Sequence, residues 1–156
     1  MSMPVSIFVR LQHQHEVIGE LCSAFSETQL KARVNPEKWS AFENIAHLAA
    51  YQPTFIQRLD IILRDEKPTF QRYKAEDDPL FHEYLLKNME NLYEDINENR
   101  MIIIGQLEGL DKHQLNYFGI HPKFGKMTLT QWAEFFLLHE AHHLFTIFML
   151  TRQASK

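Results

Sequence analysis

An all-α fold, and within that class a four-helix bundle, is what this sequence predicts. Glycine and proline are scarce, 5 and 6 in 156 residues, which disfavours a turn-rich β protein. Apolar residues recur at three- and four-residue steps through four long stretches, the spacing of a helix with one buried face. Several of the breakers, Pro36, Pro68, Gly119, Pro122 and Gly125, fall between those stretches. The length suits one domain over residues 1–156, with a real core and no room for two comfortable ones.

The first helix is expected at about residues 5–28, where Phe8, Leu11, Ile18, Cys22 and Phe25 form one stripe that also carries His15. Residues 31–38, with Asn35-Pro36, read as a loop. A second helix begins at Ser40, because Ser40 and Glu43 have the spacing of a capping box, in which hydroxyl and carboxylate each satisfy a free amide. It runs to about residue 64 with Ile45, Leu48, Phe55, Leu59 and Ile62 inward, and Pro53 predicts a kink near Ala49. Residues 65–78 are polar and read as a linker. Pro79 then opens a third helix to about residue 110, buried through Leu85, Met89, Leu92, Ile96, Ile103 and Leu107. Residues 111–127 read as an irregular crossing loop. The fourth helix, about 128–152, starts at a hydroxyl cap on Thr128 or Thr130 and meets no Pro or Gly.

A net charge of −4 and a pI near 6.1 give no basic field to draw in phosphate backbones, so a nucleic-acid partner is excluded. The single cysteine, Cys22, rules out an internal disulfide and suits a reducing cytoplasm. No stretch reads as a signal peptide or is long and apolar enough for a membrane span. What stands out is histidine, 9 in all.

On the fourth helix Trp132, Phe136, His139, His143, Thr146 and Leu150 share one inward stripe, so two imidazoles sit one turn apart where a bundle ordinarily puts Leu or Ile. A buried polar pair needs partners, and a metal ion satisfies it. His139-Glu140-Ala141-His142-His143 matches the zinc-protease string H-E-x-x-H, but residues 144–156 hold no His, Asp, Glu or Cys to complete such a site. A third ligand must come from upstream, and His47, at the edge of the second helix's stripe, is the candidate. Three neutral imidazoles leave a coordination position open, as catalytic sites do. Against this stand hydrogen-bonded core histidines with no metal. His15 and His142 are outer-sphere or solvent-facing alternatives. His13, His82, His113 and His121 are expected on polar faces or loops. Glu140 is the candidate catalytic residue; it reads first as an outer-sphere or solvated carboxylate, with a general-base role as the alternative. Trp39 and Trp132 read as core anchors.

Trp39-Ser40 leading to Glu43 and His47-Leu48, then Phe55 and Arg58-Leu59, come first. Gly125-Lys126-Met127-Thr128-Leu129-Thr130-Gln131-Trp132 and His139-Glu140-Ala141-His142-His143-Leu144 follow. Taken in order, these pieces resemble the DinB/YfiT-like superfamily of metal-dependent proteins over roughly residues 39–150. The resemblance implies a four-helix bundle, often dimeric, with one divalent ion held by His47, His139 and His143. Relatives are assigned zinc or nickel, and some use low-molecular-weight thiols such as bacillithiol or mycothiol as cosubstrate. Family members commonly carry Asp where this chain has Glu140.

The expectation from these residues and this resemblance is a cytoplasmic homodimeric enzyme acting on a small molecule. Its reaction is expected to be S-transfer from a low-molecular-weight thiol to an electrophile, with the ion stabilising the thiolate. The alternatives are a metal-dependent hydrolase with Glu140 as base, and a non-catalytic metal- or ligand-binding bundle. Three imidazoles alone do not select the metal.

Overall fold

The computed structural model describes residues 3–154. Helices α1 (Val5–His13) and α2 (Val17–Cys22) are joined by a 3-10 turn and make the first arm of the bundle. α3 (Glu27–Lys31) is a short helix before the second arm, α4 (Ala41–Leu63). α5 (Pro79–Tyr84) precedes the third arm, α6 (Met89–Leu107). A hairpin of β1 (Phe118–His121) and β2 (Gly125–Thr128) leads into the fourth arm, α7 (Leu129–Ala154). α4 packs against α6 and α7, and α1 packs against the same two from the other side.

The caps follow the sequence. Ser40 and Glu43 form the expected capping box on α4, and α4 continues through Pro53 to Leu63. On α7 it is Thr128, not Thr130, that forms the cap: Gln131 N donates to its Oγ1 (3.4 Å) and Thr128 N donates to Gln131 Oε1 (2.9 Å).

Three expectations need correction. The first arm does not run unbroken to residue 28. It tightens at residues 14–16 and ends at Cys22, and Ser26 with Gln29 builds a fresh capping box for α3. The third arm is interrupted at residues 85–88, where the Asn88 side chain accepts from Asn91 N (2.8 Å) and caps a new helix. In both places a side-chain oxygen offers the backbone a better-satisfied start than helix continuation. Residues 111–127 are likewise not irregular, since they hold a 3-10 turn and the antiparallel hairpin, with Phe118 opposite Thr128 and His121 opposite Gly125. Gly125 has φ +70°, the left-handed residue a three-residue hairpin loop requires.

The linker is tied to this hairpin. Phe70 N donates to Ile120 O (3.0 Å) and Ile120 N to Pro68 O (2.7 Å). Gly119 makes the docking possible: a Cβ there would lie 2.7 Å from Phe70 Cε2 and 3.1 Å from Ile62 Cδ1. The core falls into two clusters. One gathers Ile18, Phe42, Ile45, Leu92, Ile96 and Ile147, and the other gathers Leu11, Phe55, Leu59, Ile103, Trp132 and Phe136. The histidines of α4 and α7 lie along the helices between them.

Candidate metal centre

α4 and α7 pack side by side, so His47 faces His139 and His143 across their interface. One ligand atom from each of the three lies within 4.8 Å of the others, and among the described residues no other group of three or more His, Cys, Asp or Glu is so arranged. The Nε2 atoms of His47 and His139 stand 3.1 Å apart. Two nitrogens each about 2.0–2.1 Å from a shared ion are separated by about 2.9 Å at a right angle and about 3.4 Å at the tetrahedral angle. The observed spacing lies between these.

The second nitrogens sharpen the picture. His143 Nδ1 donates to Asn44 Oδ1 (2.8 Å), and Asn44 is itself fixed by its Nδ2 donating to Ser40 O (2.8 Å). That bond puts the hydrogen on Nδ1 and leaves the His143 Nε2 lone pair free to coordinate. Nδ1 of His47 and of His139 are buried without a protein partner. Two rings whose only polar partners are each other are costly in a core, and a cation shared by the Nε2 atoms offsets that cost. The donor set therefore fits a divalent ion.

Burial drives all three imidazoles down to about 3, and each is pushed further by a neighbouring histidine: His47 by His143, His139 by His47, His143 by His139. They are neutral at pH 7, with lone pairs available. Unfolded imidazoles titrate near pH 6.5, so between about pH 6.5 and 5 the unfolded chain binds more protons than the folded one and stability falls as the pH falls. His15, held down to about 4 by burial and by Arg100, acts in the same sense. The expected result for chelator-treated protein is a melting temperature level above pH 7 that declines through this window. A melting temperature that rises on acidification there contradicts it.

Aromatic rings wall the cluster. Trp39 lies 5.1 Å from His47, Tyr73 5.8 Å from His47, and Tyr51 4.9 Å from His139, centroid to centroid. A cleft of about 670 Å³ opens beside it, lined by His139, Tyr51, Tyr73, Phe135, Arg58 and Arg72 together with His121 to Phe124 of the hairpin. Trp39 is thus a half-buried wall of the histidine cluster as well as a core contact, while Trp132 is fully buried as expected.

Glu140 is not gathered into this cluster. It is buried, its Oε2 accepts from Arg100 Nη2, and its Oε1 accepts from Gln14 Nε2 (2.9 Å). His15 is also elsewhere, with Nδ1 accepting from Arg100 Nη1 (3.2 Å) and Nε2 donating to Asn97 Oδ1 (3.0 Å). His142 is exposed and lines a second cleft with Lys38, Trp39 and His143. His121, expected on a surface loop, is instead half-buried in the wall of the main cleft. Its Nδ1 accepts from Lys123 N (3.1 Å) and Phe124 N (3.2 Å), which leaves its hydrogen on Nε2. Burial first, then Arg58 and Lys123, lower its pKa. Tyr51, Arg58 and Tyr73 are site residues that the sequence reading does not contain. Tyr51 and Arg58 lie four and eleven residues beyond His47, so helical spacing from His47 is the signal that points to them.

Asn44 supplies a test of the cluster. Removing its side chain frees the His143 ring and its tautomer, so Asn44→Ala is expected to lower metal affinity about 10- to 100-fold. Competition against a chelating dye measures this, and unchanged affinity contradicts the orientation argument.

Residues 10–147 match the family described as the DinB superfamily, a span that holds all three imidazoles. Over 133 residues the chain is 27% identical to a protein of Oceanobacillus iheyensis named "Putative metal-dependent hydrolase OB0413", covering 81% of this chain and 73% of that one. Its fold is similar to that of YfiT from Bacillus subtilis, described as "a probable metal-dependent hydrolase with an unusual four-helix bundle topology". The TM-score is 0.84 at 17% identity, over 96% of this chain and 86% of that one. TT2238, described as a four-helix bundle protein, matches with a TM-score of 0.67 at 18% identity, over 91% and 95%. The architecture is a four-helix bundle, here with a hairpin inserted before the last helix.

Proposed function

The chain belongs to the DinB superfamily, and on that premise we propose that it is a metal-dependent hydrolase acting on a small molecule. The observation that carries this reading is the convergence of three neutral imidazoles on adjacent helices, one of which, His139, lines a cleft of about 670 Å³. The names of the relatives OB0413 and YfiT support it. His47, His139 and His143 hold the ion, zinc or nickel in this reading. Bound there, a divalent ion supplies Lewis acidity that ionises a small nucleophile near neutral pH and polarises the bond to be broken.

The chain's own residues do the rest. Asn44 keeps the His143 lone pair aimed into the cluster. Tyr51 keeps its hydroxyl hydrogen, because burial raises its pKa. Arg58 Nη1 already donates to that oxygen (3.4 Å), so the Tyr51 hydrogen is free for an acceptor in the cleft. His121 offers Nε2–H from the opposite wall. Phe135 and Tyr73 narrow the water around the reacting groups. Glu140 acts in this scheme as a structural anion bound to Arg100 and not as the base.

Transfer of a low-molecular-weight thiol is the second reading, and one observation favours it. Among the described residues no carboxylate lines the cleft, and a thiolate, once ionised, needs no protein base to attack. Metal-loaded protein assayed on activated esters and on electrophilic small molecules, with and without free thiol, separates the two. Turnover without thiol that is lost on chelation and in His139→Ala supports hydrolysis. Turnover that consumes thiol stoichiometrically supports transfer, and turnover indifferent to chelation overturns both.

Homodimerisation and a cytoplasmic setting belong to the same proposal. The outer face of α7 presents Leu138, Phe145, Phe148 and Met149, each more than two-fifths exposed, which suits a self-complementary helix face. The lone buried thiol of Cys22 suits a reducing compartment. Sedimentation at micromolar concentration tests the dimer.

A further inference from the structure

The cleft beside the histidine cluster has an unusual charge balance for a chain of net charge −4. Arg58, Arg72 and Lys123 all line it, and among the described residues no Asp or Glu does. Of the five arginines outside the cleft, four are paired with carboxylates: Arg10 with Glu134, Arg33 with Glu43, Arg64 with Glu66 and Arg100 with Glu140. Among the described residues no carboxylate lies within ion-pair distance of any of the three cleft cations. Arg58 is the informative one, because it is 92% buried by its 8% exposure. Its guanidinium donates only to neutral groups, Tyr51 Oη (3.4 Å) and Gln71 O (2.9 Å). It lies over the rings of Phe70 (5.1 Å) and Trp132 (5.7 Å). A nearly buried cation without a counter-ion is expensive unless something else supplies the charge. Beside them His121 has its pKa lowered, first by burial and then by Arg58 and Lys123.

The walls between these cations are apolar. Tyr51, Tyr73, Phe124 and Phe135 face the same space, and Phe124 is 54% exposed although its ring stacks on His121 at 4.7 Å. Cations over aromatic walls select a ligand with an apolar or aromatic body and an anionic end.

We propose that the cleft takes small molecules with an aromatic or apolar body and one carboxylate or phosphate, the anion held by Arg58, Arg72 and Lys123 and the reacting group turned toward His139. This assignment of substrate class rests on the reading of the cluster as a hydrolytic metal centre. Arg58 is the inner, preorganised cation. Arg72 and Lys123, both exposed, contribute from the mouth.

The test is a titration of the protein as purified with benzoate, phenylphosphonate and the neutral isostere benzamide, followed by calorimetry, with metal content measured on the same samples. Benzoate or phenylphosphonate is expected to bind at least about tenfold more tightly than benzamide, and the tighter of the two names the acid. Arg72→Gln combined with Lys123→Met is expected to weaken acid binding about tenfold or more, leaving benzamide binding and metal content unchanged. Both positions are exposed and carry no ion pair, so the fold survives the change. Equal binding of acids and amide by the parent protein overturns the proposal. An acid preference undiminished in the double variant also overturns it, because the cations at the mouth then hold no part of the anion. If the acid preference is present and falls in the double variant while no metal is found, this proposal stands and the hydrolase reading fails.

Discussion

Glu140→Ala is expected to lower stability by about 3–5 kcal/mol, the cost of leaving a buried charge without its partner. Arg100 is 1% exposed and Glu140 3%. The guanidinium reaches every arm of the bundle: Nη2 to Glu140 on α7, Nη1 to Leu11 O on α1 (3.0 Å), and Nε to Gln52 Oε1 on α4 (3.3 Å). Gln14 closes the network by donating to both Glu140 Oε1 and Leu137 O, each at 2.9 Å. Glu140→Gln keeps the shape and part of the hydrogen bonding and costs less. Arg100→Met with Glu140→Met removes both charges together and recovers most of the loss, because a buried ion pair and a well-packed apolar pair are close in free energy. Urea unfolding measures all three, and a loss below about 1 kcal/mol in Glu140→Ala contradicts the network. The same series separates anchor from base, since Glu140→Gln is expected to keep its turnover once folded.

His139→Ala is expected to abolish tight metal binding, an effect larger than the about 10- to 100-fold assigned to an outer partner such as Asn44. It has a signature in stability as well. An ion that binds only the folded state stabilises it by about 2.7 kcal/mol at a hundred times its dissociation constant. The parent protein is therefore expected to melt higher with zinc or nickel than with chelator, and His139→Ala to melt alike in both. The chelated variant should be no less stable than the chelated parent, because His139 Nδ1 is buried without a partner and its Nε2 meets only another imidazole. A variant that keeps the metal-dependent rise contradicts the assignment of His139.

Much of this was legible in the sequence because it depends on periodicity. Ile45, Leu48, Phe55, Leu59 and Ile62 are all buried as the spacing requires, and the Ser40–Glu43 cap starts α4 at the expected residue. His139 and His143 share a face for the same reason. His47 required knowing that α4 and α7 are neighbours, which spacing along one helix does not contain. Arg100 sits on the buried stripe between Ile96 and Ile103, where a charge is conspicuous only once Glu140 is seen opposite. The two interrupted arms turn on single side chains, Ser26 and Asn88, whose capping bonds outweigh a continuous apolar pattern. Sequence alone places His121 on a surface, because its hairpin is held by non-local contacts: Phe70 and Ile62 against Gly119, and the strand pairing with the linker. Those contacts swing residues 121–124 over the cleft, and they also give it its cations and aromatic wall.

The central claim, that His47, His139 and His143 form one metal centre, is tested most directly by anomalous diffraction from crystals of the protein grown with zinc or nickel. The expected result is a single strong peak per chain, about 2.0–2.1 Å from Nε2 of each of the three imidazoles, and no such peak in His139→Ala. A peak elsewhere, or none at the three histidines, contradicts it.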